Sequence, residues 1–340
     1  LSPGGVRSST FTLISTSMGA GVLALPFVLQ QSGLIIGTML IGVAGILALV
    51  TITIIMKAST RLGLKTYAQI VAHCAGSWAQ EALDLVIFVY INGAMAAYFI
   101  FLGDFLPIVV RQFGAPVIFG QRWFIMLMGI CIGIPMCMPR QLSSLRHVTP
   151  VSTLALLALS VTAVVYMPQL HADRSASGEE VRLSSITWSI IPSFNICMFS
   201  FVCHNNVVPV AVELDNPSDR RIMKVASSTA VGCCLFYFII AQAGYLSFMD
   251  ETGSNFLVNY PSQQFLPSLC RCLFIISLTV GVVVNNHSAV ASFVGFLQRC
   301  VFSDSIRGLQ YNANISDQAN DVDSAGYIAE GVSVSNSFKP

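Results

Sequence analysis

Residues 18–27 read MGAGVLALPF. They lie inside an apolar stretch, yet they hold Gly19, Gly21 and Pro26. Gly and Pro weaken the hydrogen-bond ladder of a helix. In lipid, a freed backbone group finds no water to bond. A weak point at membrane depth therefore needs a purpose, and two are open. One is close helix packing through small residues. The other is a binding site made of exposed backbone. The residues just before it favour the site. Thr12, Ser15, Thr16 and Gly19 fall at i, i+3, i+4 and i+7, one polar stripe on a helix. The stripe ends at Gly19-Ala20-Gly21. There the N–H groups of a half-helix start can hold a carboxylate, and the carbonyls of the half before it can hold a cation.

The rest of the chain fits a membrane setting. Of 340 residues, 54% are hydrophobic and 10% charged, with a mean hydropathy of +0.73. A soluble domain carries about 25% charged residues. The reading is an all-α integral membrane protein. A net charge of +1 and the lack of a basic tract give no footing for nucleic acid. Ten cysteines invite a disulfide framework, but most (Cys131, Cys137, Cys197, Cys203, Cys233, Cys234) fall in apolar runs. There a thiol is a small hydrophobe, and neither disulfide nor zinc is predicted. An enzyme is not expected either. There is no His-Glu-x-x-His and no activated nucleophile, and Gly103-Asp104 has no partner acid in another apolar span. The chain begins at Leu1 rather than Met, so a preceding segment is expected.

A helix needs about 20 apolar residues to cross the hydrocarbon core. Eight stretches qualify: 8–30, 34–56, 82–110, 122–138, 148–168, 187–211, 225–248 and 265–299. With the N-terminus inside, the outer segments hold Arg111, Arg122, Arg174, Arg182 and Arg271. The inner ones then hold the other 12 of 17 basic residues, which assigns the N-terminus to the cytosol. The division is a transmembrane domain over 1–303 and a polar tail over 304–340, rich in Ser, Asn, Asp and Gly and read as disordered and cytosolic.

A second irregular point lies in the sixth span, IPSFNICMFSFVCHNNVVPVAVEL. Between Pro192 and Pro209 it carries Asn195, Ser200, Cys203, His204 and Asn205. A histidine at this depth is either functional or bonded to a neighbour as a structural group. Near the site it would titrate around pH 6.5 and make binding pH-sensitive. Irregularity in both the first and sixth spans is the pattern of two inverted five-helix repeats. The third span adds Asn92, Gly93 and Tyr98. The eighth carries Ser277, Gly281, Asn285, Ser288 and Ser292 on one face, for packing or for a cavity. The amide of Asn285 favours the cavity.

These residues resemble a known family. The run FSFVCHNNVVPVAVELDNPSDRR (199–221) is similar to the sixth-span signature of amino acid/auxin permeases, above all the system A and system N neutral amino acid transporters. SSTFTLISTSMGAGVLALPF (8–27), Asn92 through Pro107, and IPMCMPRQLSSLRHVT (134–149) resemble the same family's first span, third span and fourth-to-fifth connection. The likeness runs in order over residues 7–285.

The resemblance implies a LeuT-type inverted-repeat transporter fold, incomplete here, with about eight of eleven helices. It implies a secondary transporter of neutral amino acids, without a cofactor, in the plasma membrane or an endolysosomal or vacuolar membrane. The substrate carboxylate would meet Gly19, Ala20 and Gly21. Its amino group would lie near Ser200, Phe201, Cys203 and His204, with Asn92 alongside. A coupling ion, sodium or a proton, would sit at Ser15, Met18, Ser277 and Thr279. Ser15 stands where sodium-coupled members carry Asn, and Asn285-Asn286-His287 departs from the family's eighth span. An amino acid sensor, or a truncated member that does not transport, is the alternative.

Overall fold

The computed structural model describes residues 4–17, 19–114 and 149–301, with residues 116, 118, 121, 123 and 124. The expected span 122–138 and the tail 304–340 lie outside the described residues, apart from Trp123 and Phe124. Among the described residues the only regular structure is helix.

The first expected span is two helices. α1 (Val6–Ser17) stops just before the glycines, a 3₁₀ turn covers Ala20–Ala24, and α2 (Leu25–Ser32) follows. Pro26 sits in the first turn of α2, where its missing N–H costs nothing. The two halves are bent by 56°. α3 (Leu34–Leu62) runs six residues past the expected 34–56. The polar residues at its end do not stop a helix; Gly63, left-handed at φ +67°, does. The short α4 (Tyr67–Ala75) begins at a capping box of Thr66 and Gln69 and was not expected.

α5 (Ser77–Gln112) has 36 residues and is about 54 Å long. α6 covers Thr149–Ala176. The sixth expected span is again two pieces, α7 (Ile190–Ser200) and α8 (His204–Glu213), parted at Phe201-Val202-Cys203. α9 (Asp219–Phe248) starts at Ser218, whose hydroxyl caps the Arg221 N–H. α10 is Phe265–Val301. Among the described residues, six helices can cross a membrane by length and composition, or seven with the bent first pair. These coincide with seven of the eight expected spans.

Burial sorts the helices. α9 packs against α1, α2, α3 and α6, and half of its apolar window is buried. Only 17% of the window in α5 is buried, and Val86, Val89 and Ile100 point outward. Such an apolar exterior suits lipid rather than water. At the end expected to face outward, residues 182–185 run along the α2–α3 turn. Leu34 N donates to Arg182 O and Ser185 N to Ser32 O, both at 2.9 Å. Gly33 makes the turn possible. Its φ is +83°, and a Cβ there would stand 2.6 Å from Ser184 Cα. Arg182–Asp250 (3.0 Å), Arg174–Glu179 (2.9 Å) and Arg174–Glu251 tie the same end together.

Candidate functional site

Both interruptions open on one cavity. Thr16, Ser17, Gly19 and Gly21 line it from the first break. Phe199, Cys203, Asn205 and Asn206 line it from the second. Tyr90, Ala94 and Tyr98 of α5 follow at steps of four, one helical face. Asn285 of α10 closes the ring.

The second half of each broken helix begins without a side-chain cap. Gly19 precedes the 3₁₀ turn and α2, and Cys203 precedes α8; neither caps the N–H groups that follow. The first N–H groups of a helical segment have no partner within it. Together with the helix dipole they favour an anion. No acidic, basic or imidazole side chain is among the described residues that line the cavity. The electrostatics there come from backbone ends, amides and hydroxyls, which suit a molecule with no net charge.

The two breaks touch. A Cβ on Gly21 would lie 2.6 Å from Ser200 Oγ and 3.0 Å from Ser200 Cα. Tyr237 of α9 joins them from behind. Its hydroxyl faces two carbonyls, Ser17 O at 3.0 Å and Ser200 O at 2.6 Å. These belong to the last residues of α1 and α7. Tyr237 is fully buried, with its ring edge-on to Phe201 at 4.8 Å. In sequence it is one aromatic residue in an apolar span, and nothing marks it as a joint.

The expected substrate residues divide. Gly19, Gly21 and Cys203 line the cavity. Ala20, Ser200 and Phe201 are buried in the packing around it. Ser200 Oγ donates to Ile196 O at 2.8 Å. Asn92 faces outward, its amide donating to Phe88 O at 2.8 Å. It is two residues from both Tyr90 and Ala94, and so about 200° round the helix from each. On this helix it is Tyr98, not Asn92, that lines the cavity. A Cβ on Gly19 would stand 2.8 Å from the Tyr98 hydroxyl, and Asn285 lines the same cavity.

His204 is not among the lining residues. Its Nε2 lies 2.7 Å from Thr51 Oγ1 on α3. That hydroxyl also donates to Leu47 O at 2.8 Å, so the imidazole is the donor. The bond supports the structural alternative for this residue. We expect His204→Ala to leave the shape of the uptake-against-pH curve unchanged while lowering thermal stability by about 1–2 kcal/mol. A pH curve that flattened in the variant would return His204 to the site.

The polar stripe divides as well. Thr16 faces the cavity, while Ser15 Oγ pairs with Thr153 Oγ1 of α6 at 2.9 Å. The next residue along α6, Ser152, pairs with Ser277 of α10 at 2.7 Å. Two hydroxyl pairs thus link α1 to α6 and α6 to α10 through neighbouring residues of α6, and they include two of the residues expected at the ion, Ser15 and Ser277. Thr279 is turned to its own helix, bonding Ile275 O at 2.7 Å. Met18 lies outside the described residues.

The sequence itself has counterparts among known proteins. The profile of the family described as transmembrane amino acid transporter protein matches residues 2–319. The chain belongs to that family. It is a family of transporters, not enzymes, and the chain is an integral, multi-pass membrane protein. Amino acid transporter AAT1 of Toxoplasma gondii is 34% identical over 296 residues, 87% of this chain and 41% of the relative. The protein of the same name in Plasmodium falciparum is 25% identical over 92% of this chain and 52% of its own length. A sodium-coupled neutral amino acid transporter 10 of Xenopus laevis is 26% identical over 79% of this chain and 26% of its own. The expected kinship with amino acid permeases and sodium-coupled neutral transporters therefore stands. The chain spans about half the length, or less, of these relatives.

Proposed function

We propose that the chain carries the substrate-binding part of a secondary transporter for neutral amino acids, built on a LeuT-type inverted repeat. The observation that supports this best is the convergence of two uncapped helix starts on one uncharged cavity. The N–H groups after Gly19 and Cys203 would take the α-carboxylate. The amide and hydroxyl oxygens of Asn205, Asn285, Thr16 and Tyr98 would take the ammonium. A charged substrate side chain would find no counter-ion here, and burying it unpaired would be costly. The kinship with proteins named as sodium-coupled neutral transporters supports the same class.

The coupling ion in this reading is sodium. Ser15, Thr153, Ser152 and Ser277 offer neutral oxygens, the ligand type that hard cations take. A proton would need a titrating carboxylate or imidazole, and none lines the cavity among the described residues. The test is uptake of labelled neutral amino acids into proteoliposomes, in sodium and in choline at one pH. Uptake should require sodium, and equal uptake in choline would reject the ion. Ser277→Ala should raise the sodium concentration for half-maximal uptake about tenfold, since one oxygen ligand contributes about 1–1.5 kcal/mol. Amino acids that raise the melting temperature yet are not taken up would point to a sensor instead.

A further inference from the structure

Arg271 lies in the second turn of α10, at the end of the bundle that the Lys and Arg distribution assigns to the outside. It is fully buried and is the largest side chain so buried among the described residues. A buried guanidinium is stable only when its charge and its donors are met. Arg271 meets few of them. Of its five N–H donors, those on Nη2 reach Leu257 O at 3.0 Å and Tyr260 O at 2.5 Å. Nε and Nη1, which carry the other three, have no acceptor among the described residues. Two carbonyls supply partial charge but no neutralising one.

No carboxylate does so either. None of the ion pairs among the described residues includes Arg271. The acids of the neighbouring loops are committed elsewhere: Asp250 to Arg182 and Glu251 to Arg174. Asp104 accepts from Asn255 at 3.2 Å. Cys270 and Cys272 flank Arg271 on its own helix. The segment that supplies the two carbonyls brings the rings of Phe256 and Tyr260. Arg271 does not line the cavity between the broken helices, so the substrate in that cavity does not answer its charge.

We infer that Arg271 is an anion-binding site for one small, singly charged anion. Three unspent N–H donors on one buried cation recognise such an ion by charge and hydrogen bonding together. Sulfate or a phosphate dianion would bring a second negative charge that nothing here balances. Chloride and a carboxylate share the chemistry. The bound anion holds the loop segment 257–260 against α10 by completing the shell that its two carbonyls begin.

The purified full chain is placed in sodium gluconate, and chloride, acetate or sulfate is titrated in at constant ionic strength. Chloride or acetate is expected to raise the melting temperature by roughly 3–6 °C, saturably. Sulfate is expected to have no effect. A response to chloride alone names a halide as the occupant, and a response to acetate names a carboxylate. Arg271→Gln should abolish either response and leave amino acid stabilisation in gluconate intact. That separates this site from the cavity. No response to chloride or acetate in the wild type, or the same response in Arg271→Gln, overturns the inference. Should the variant not fold, equilibrium dialysis of the wild type decides: one labelled chloride or acetate retained per chain supports the site, and retention of neither overturns it.

Discussion

Gly21→Val is expected to abolish amino acid uptake while the protein still inserts and reaches its membrane. The cause is steric and sits between the two breaks. The first atom of any side chain at Gly21 meets Ser200 Oγ at 2.6 Å, Phe199 Cδ1 at 3.0 Å and Ser200 Cα at 3.0 Å. A hydroxyl or a ring can swing aside; Ser200 Cα is backbone and cannot. The 3₁₀ turn would have to leave α7, costing about 1–3 kcal/mol for overpacking and pulling apart the helix starts that line the cavity. Uptake should fall at least about 100-fold at equal surface expression, because a misplacement of about 1 Å at such a site has effects of that size. Gly93→Ala is the control. A Cβ there has nothing within 4 Å, so uptake should be kept. Wild-type uptake in Gly21→Val would show that the breaks need not touch.

This contact shows how far the sequence could be read. Gly19, Gly21 and Pro26 in an apolar run marked the first break, because that composition is wasteful in a plain span. The pair Pro192 and Pro209 placed the second less sharply, and the interruption falls at 201–203. Gly21 packs closely against α7, and both Gly19 and Gly21 border the cavity. Helical periodicity put Asn285 on one polar face of its span, its amide favoured a cavity over packing, and it lines the cavity.

What the sequence left dark is partnership across helices. Ser15 and Thr16 looked equivalent on one stripe, yet 100° of helix sends one to Thr153 and the other to the cavity. Asn92 drew attention as the amide of its span, but lipid-side polar groups can bond their own helix, and its amide does. His204 was conspicuous for its chemistry and is held by Thr51, a residue 153 positions away. Tyr90 and Tyr98 left a usable signal, a spacing of eight along one face with Ala94 between. Tyr237 left none, because nothing in an apolar span says which carbonyls its hydroxyl will find.

Tyr237→Phe is expected to be the most damaging single-atom change in the protein. The ring would stay, with its edge contact to Phe201. The hydroxyl would go, and with it the donor shared by Ser17 O and Ser200 O. Those carbonyls end α1 and α7, so within each helix no later N–H can reach them. Ser17 O would keep the Gly19 N–H at 2.9 Å, whereas Ser200 O has no other donor among the described residues. An unsatisfied buried carbonyl costs about 1–3 kcal/mol. The penalty falls on the relative placement of the two breaks rather than on insertion. The melting temperature should therefore drop modestly, while uptake falls about 10- to 100-fold at saturating sodium. The loss should appear in the substrate concentration for half-maximal uptake as well as in the maximal rate, because the helix starts proposed to hold the carboxylate would no longer be held in register. Uptake within twofold of wild type would mean that Gly21 against Ser200 alone holds the breaks together, and that Tyr237 merely fills the space behind them.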